Sequence, residues 1–249
     1  MKKMVLLLIF FPCMGISQII NVESLRRVTD TTGWHGTTSL DFSLTRNTND
    51  LFRFGNHTHI QYKIPRQLFL LVGNVTFERS AGQNFVNQGS VHFRHNYKIT
   101  DRFVWEAFTQ AQYNSVAKIN FRGLIGTGPR YKIIGHEKHR LYLGTILMYE
   151  YEEIDNVPML INRDFRGSFY TSFSIYPTER ITLVSTSYYQ PLIKNWSDHR
   201  FATENSLVIE IVKKLSLKTT YTLTFDSHPA EEVNSTFYNL STGLIYTFH

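Results

Sequence analysis

The sequence predicts an all-β fold: a single antiparallel transmembrane β-barrel of about twelve strands. Three observations predict it. Apolar and polar residues alternate with a period of two through successive stretches of roughly 10 to 14 residues, enough to cross a membrane at the tilt of a barrel strand. Tyrosine (14) and phenylalanine (19) are abundant, yet after the first seventeen residues no apolar run approaches the length of a transmembrane helix. Tyrosine and tryptophan sit at the ends of the apolar faces, where a membrane-interface girdle needs them. A soluble sandwich shows the same alternation, but its strands cluster near five or six residues.

In chain order, Met1 to Ser17 places Lys2 and Lys3 before an apolar run from Met4 to Phe11 and ends in Gly15 and Ser17, the form of a cleavable secretory signal. The barrel is then expected over residues 18–249. Phe10, Phe11 and Pro12 before Cys13 do not suit lipoprotein processing. Removal of the signal would take the only Cys, leaving no disulfide and no thiolate ligand. It would also take two lysines, lowering the net charge from +6 to +4, too small and dispersed an excess to point to nucleic acid.

Leu40, Phe42 and Leu44 alternate with Asp41, Ser43 and Thr45 before a turn at Asn47 to Asp50. Phe52, Phe54, Ile60, Tyr62 and Ile64 oppose Arg53, His57, His59, Gln61 and Lys63. Phe69, Leu71, Val75 and Phe77 oppose Asn74, Thr76 and Glu78, with a loop expected at Ala81 to Asn87. Val91, Phe93, Tyr97 and Ile99 oppose His92, Arg94, Asn96 and Lys98; Phe103, Trp105, Ala107, Ala111 and Tyr113 oppose Glu106, Gln110, Gln112 and Asn114. Lys118 to Ile134 carries Arg122 and Arg130 on its polar face and Pro129 in its middle, where a bulge or break is expected because proline lacks the ladder donor.

Leu141, Leu143, Leu147, Tyr149 and Tyr151 then oppose Tyr142, Gly144, Met148, Glu150 and Glu152. Phe165, Phe169, Phe173 and Ile175 oppose Arg166, Ser168, Ser172 and Ser174. A Ser/Thr-rich strand spans Ile181 to Pro191. Phe201, Leu207, Ile209 and Ile211 oppose Glu204, Ser206 and Glu210, and Leu215, Leu217, Tyr221, Leu223 and Phe225 oppose Lys218, Thr220, Thr222 and Asp226. Every other connection is short: Pro65-Arg66, Thr100-Asp101, Pro177 to Glu179 and Lys213-Lys214 are the expected periplasmic turns. Longer loops are expected at Asp155 to Asn162, Leu192 to Asp198 and His228 to Ser235.

The last stretch, FYNLSTGLIYTFH, puts Tyr238, Leu240, Leu244, Tyr246 and Phe248 on one face and Asn239, Ser241, Gly243 and Thr247 on the other. Its Ser241-x-Gly243-x-x-Tyr246-x-Phe248 resembles the C-terminal assembly signal of bacterial outer-membrane barrels, so Gly243, Tyr246 and Phe248 are the candidate contacts with the barrel-assembly machinery. Further resemblance lies in Tyr221-x-x-x-Phe225-Asp226-Ser227-x-Pro229, Tyr189-Gln190-Pro191, Asp198-x-Arg200, Glu204, Gly126-x-Gly128-x-x-Tyr131 and Trp34-x-Gly36. In these the chain is similar to the salt-induced outer-membrane proteins, a family of unknown function. The resemblance implies a bacterial outer-membrane location and a single barrel, and brings no catalytic residues. Ala230 replaces the family's second proline.

The polar face supplies the candidate site: Arg53, His57, His59, Glu78, Arg94, Glu106, Arg122, Arg130, Glu150, Arg166, Glu204, Glu210 and Lys218, with Glu152 beside them. In a barrel these face the lumen, where mixed charges pair structurally or line a conduit that selects ions by charge. His57 and His59 share that face, with His92 near enough in the chain to join them as metal ligands or as part of a hydrolase. A metal site needs at least three converging ligands and a hydrolase an ordered Ser-His-acid set, and no spacing announces either. Gly123 to Gly128 lacks the Lys-Ser/Thr ending of a phosphate loop. The expectation is a monomeric, porin-like barrel in outer-membrane lipid with no cofactor, metal or nucleic-acid partner. It would be a narrow pore for small ions or solutes rather than an enzyme, with a barrel-embedded lipid or peptide hydrolase and a surface-interaction barrel as the alternatives.

Overall fold

The structure, a computed structural model, describes residues 32–46, 50–80 and 83–248. The expected signal segment and the turn at 47–49 lie outside them. Twelve strands follow one another: β1 Gly33–Arg46, β2 Asp50–Ile64, β3 Gln67–Ser80, β4 Gln83–Lys98, β5 Phe103–Asn114, β6 Ile119–Gly135, β7 His139–Ile154, β8 Leu160–Thr178, β9 Ile181–Leu192, β10 Asn195–Val212, β11 Leu215–Asp226 and β12 Thr236–Phe248. Each pairs antiparallel with the next, and β12 closes on β1 through Gly36↔Phe248 to Leu40↔Leu244. Closure over these five pairs gives every described strand two neighbours, the condition for a sheet to sit in hydrocarbon.

Alternation decides the faces. Leu40, Phe42, Leu44, Val91, Ile125, Leu147, Phe165 and Leu240 point out and are exposed, while His59, Arg94, Glu106, Arg122, Glu150 and Arg166 on the other parity are buried inside. The cylinder therefore hides its charges and shows its oil, the reverse of a soluble protein and the arrangement a bilayer requires. Aromatic rings border the outer wall at both ends. Trp34 and Tyr62 pack at 4.7 Å near the short turns, where Tyr97, Tyr131 and Tyr246 are also exposed. Tyr149 and Phe165 meet at 5.3 Å toward the longer loops.

Six strands keep within the expected 10 to 14 residues, and β2, β4, β6, β7, β8 and β10 run longer, up to 19 residues in β8. The extra length comes out of the loops. Hairpin pairing continues through Glu152↔Asn162 to Ile154↔Leu160, so the loop expected at Asp155 to Asn162 shortens to 155–159. In the same way β10 begins at Asn195 and β4 at Gln83. The bulge or break expected at Pro129 is met in part: β6 runs on through it without a bulge, but its pairing with β7 skips residues 128 and 129. Pro129 stays opposite Trp105 on β5, and on the β7 side the ladder steps from Thr127↔Leu147 to Arg130↔Gly144, so the missing donor falls in the gap. The irregularity of β6 lies instead at Lys132/Ile134 and Ile119/Phe121.

The inner face is not wholly polar. Leu68, Leu70 and Val72 of β3 form one buried apolar cluster, and Ile146, Met148, Tyr170 and Tyr188 with Phe108 form another. Both belong to the parity of Asn74 and Glu150. The signal for the first was present in the unbroken run Leu68 to Val72, which is apolar on both faces as a strand buried on both sides must be.

Candidate functional site

The charged side chains of the lumen gather into two clusters. The larger lies toward the longer loops and has Arg200 of β10 as its hub. Arg200 donates from Nη1 to Glu150 Oε2 (2.6 Å), from Nη2 to Glu152 Oε2 (3.2 Å) and from Nε to Asp226 Oδ2 (2.8 Å). One planar guanidinium, with its donors in a fixed fork, thereby ties β10 to β11 beside it and to β7 three strands away. Arg166 of β8 bonds Glu150 Oε1 (3.1 Å) and Asp198 Oδ1 (2.9 Å), and Arg122 of β6 bonds Glu152 Oε1 from Nε (2.7 Å). Three cations thus meet four carboxylates. Burying such charges costs several kcal/mol per ion, offset only where every group has close partners of opposite sign. Here each carboxylate has at least one and each guanidinium at least two.

The smaller cluster lies toward the short turns and centres on Glu106 of β5, which is fully buried. Arg130 donates to its Oε1 at 3.1 Å, Arg94 stands 3.8 Å from its Oε2, and the Tyr170 hydroxyl donates to Oε2 from β8. Glycine makes that last reach possible. A Cβ at Gly144 would collide with the Tyr170 ring, and one at Gly128, opposite Glu106, would collide with the β7 backbone at Thr145. Gly144 thus leaves the space in which the Tyr170 ring lies, and Gly128 allows the close approach of the β6 and β7 backbones. Arg130 stacks over the Tyr142 ring at 3.9 Å on the same side.

Between the clusters is a cavity of about 30 Å³ lined by His92, Arg94, Gln110, Arg122, Gln190 and Arg200 among others. That is space enough to admit water.

The remaining sequence candidates lie on the inner wall outside these clusters. Arg53 pairs with Glu78 at 3.2 Å between β2 and β3, and Lys218 with Glu204 at 3.7 Å between β10 and β11. Glu210 lies beside the β10–β11 turn. His57 and His59 do face inward, but His92 does not join them. His59 and His92 are both opposite Val72, which stands between them on β3, and His92 is stacked on Phe108 and bonded to Gln110 at 2.9 Å. Among the described residues no three His, Cys, Asp or Glu side chains converge as a metal site. Gly243 faces inward, where Asp41 of β1 occupies the space its side chain would fill. Tyr246 points outward opposite Thr38, and Phe248 pairs with Gly36 at the closing seam.

Three members of the larger cluster were missing from the sequence candidates: Arg200, Asp198 and Asp226. Asp198 fell at the end of the loop expected at Leu192 to Asp198, Arg200 between that loop and the strand read from Phe201, and Asp226 closed its strand. A signal existed nonetheless, because all three belong to motifs carrying the family resemblance. So does Ser227, whose Oγ accepts from His199 N at 2.8 Å and pins the loop after β11 to β10.

The profile of a family described as "Protein of unknown function, DUF481" matches residues 29–248. No curated protein matches. Among solved structures, the chain is similar to a NanC porin (7% identity, 86% of this chain and 100% of that one, TM-score 0.54). It is also similar to the translocator domain of the autotransporter NalP from Neisseria meningitidis (11%, 88% of each chain, 0.53). A third likeness is to the COG4313 outer membrane channel from Pseudomonas putida F1 (10%, 92% and 99%, 0.50). At these identities the likeness is one of fold: a twelve-stranded closed barrel resembling outer-membrane porins and channels.

Proposed function

The chain belongs to the DUF481 family, whose function is unknown, and from that premise we propose that it is a bacterial outer-membrane barrel acting as a narrow, gated pore for small ions or solutes. One observation supports the proposal: the lumen is lined with charge of both signs, and the Arg200 cluster reaches from β10 to β7 through ion pairs. A scaffold meant to be solid would fill that space more stably with packed apolar groups, since replacing a buried ion network by hydrophobes is often neutral or stabilising. An ion network can instead exchange partners with permeating ions, as charged constrictions of channels do.

The barrel closes on itself through β1 and β12, which supports a monomer in lipid. The role needs no cofactor and no catalytic step. Planar-bilayer recording of the refolded protein tests it. Small, intermittent conductance is expected from the wild type, and larger, more persistent conductance from an Arg200→Ser, Glu150→Ser double variant that removes the hub and one partner together. Folded barrels that stay silent in both forms would overturn the proposal.

A further inference from the structure

The two rims of the cylinder differ in charge. Each of the five short turns carries an exposed cation: Arg66 between β2 and β3, Arg102 between β4 and β5, Lys138 between β6 and β7, Arg180 between β8 and β9, and the pair Lys213-Lys214 between β10 and β11. The strand ends behind them add Lys63, Lys98, Lys132 and Arg140. Acids are fewer: Glu137, Glu179, Glu210 at the end of β10, and Asp101, the last tied to Lys98 at 2.6 Å. At the opposite rim the described loops mix Lys118 and Lys194 with Asp155, Glu231 and Glu232.

A second observation fixes the level of the basic ring. Trp34, Tyr62, Tyr97, Tyr131 and Tyr246 face outward within a few residues of the short-turn end. Amphipathic rings of this kind settle at the boundary of hydrocarbon and headgroups. The turns lie just beyond them, at the depth of lipid phosphates.

We infer that the short-turn rim is a binding surface for anionic phospholipid headgroups, which its ring of turn cations collects around the barrel. The inference rests on the membrane-spanning reading and not on the pore. Each Lys or Arg near an anionic bilayer surface enriches it about fivefold at low salt, and the effect fades within a Debye length as salt rises. Because the cations recur around the circumference, a shell of lipids is drawn in rather than one molecule.

The test uses the full barrel in nanodiscs of equal phosphatidylglycerol and phosphatidylcholine, with spin-labelled forms of each reporting the motionally restricted shell. At least a threefold preference for phosphatidylglycerol is expected at low salt, falling toward unity at high salt. It should also fall in a variant with Arg66, Arg102, Lys138, Arg180, Lys213 and Lys214 all changed to Gln. A Lys213→Gln, Lys214→Gln variant, altered in one turn only, should lose part of it. Equal occupancy by the two lipids in the wild type, or a preference unchanged in the six-residue variant, overturns the inference while leaving the spanning barrel intact. Retention of peptidoglycan fragments with no lipid preference overturns it in favour of a wall-binding rim. Failure to enter either lipid would sink the membrane reading itself.

Discussion

Tyr170 on β8 donates its hydroxyl to the carboxylate of Glu106 on β5, three strands away, its ring lying in a trough left where Gly144 carries no side chain and where Gly128 lets β6 and β7 come close. The contact joins one wall of the lumen to another. It depends as much on what the glycines omit as on what the tyrosine supplies.

Gly144→Ala should therefore destabilise the barrel. The added methyl meets the Tyr170 ring, and overpacking of this kind costs about 1–3 kcal/mol. Gly73→Ala is the control, because nothing lies within 4 Å of its added Cβ. Thermal unfolding in detergent reads both, and equal midpoints for the two variants would refute the trough.

Removal of Arg200 is expected to be the most damaging single change in the lumen. Arg200→Ala strands Glu150, Glu152 and Asp226 without their shared cation, and breaking a buried network from one side costs about 3–5 kcal/mol. Arg200→Lys keeps the charge but not the fork that serves three carboxylates, so it should recover only part of the loss. A lysine variant as stable as the wild type would mean that charge alone matters there.

Which faces point where was legible in the sequence, because parity is a local property. Leu40 and Arg53 could be assigned without knowing any neighbour. The clusters were not legible, because Arg200 reaches Glu150 and Tyr170 reaches Glu106 only after the sheet has closed with a particular stagger, which no stretch of chain encodes by itself. Strand ends were misjudged for a related reason. Asn162 looks like loop by composition, yet pairing with Glu152 extends the ladder past it. Histidine spacing along β2 gave the inward face of His57 and His59, while the separation of His92 from them by Val72 depends on pairing with the next strand.

Lys118 and Glu232 pair at 2.8 Å between the β5–β6 and β11–β12 loops, six strands apart in a ring of twelve and so on opposite sides of the mouth. Their hydrogen bond and charge hold the Glu232 carboxyl below its ordinary value. A depressed carboxylate contributes its stabilisation fully above the ordinary carboxylate range, and loses it as pH falls through the depressed folded value. The clasp should thus be closed at neutral pH and released in strong acid. Spin labels at Asn120→Cys and Glu231→Cys would report it, in a chain that has no other cysteine after residue 17. The distance should lengthen at low pH, and Glu232→Gln should show the long distance already at pH 7. A distance indifferent to both changes would rule the clasp out.

Lys214 separates stability from lipid binding. It closes the β10–β11 hairpin at φ 72°, in the left-handed region where a Cβ crowds the carbonyl at a cost of roughly 1–2 kcal/mol. Lys214→Gly relieves the crowding but raises the entropy of the unfolded chain, so a net gain of up to about 1 kcal/mol is expected in zwitterionic detergent. The same change removes one cation from the short-turn rim. The variant should be the more stable protein in neutral micelles and the less selective one in mixed-lipid nanodiscs. Opposite signs from one substitution would show that the lysine is kept for its charge and not for the turn. A loss of stability in neutral micelles would show that the lysine contributes more to the hairpin than its strained backbone costs.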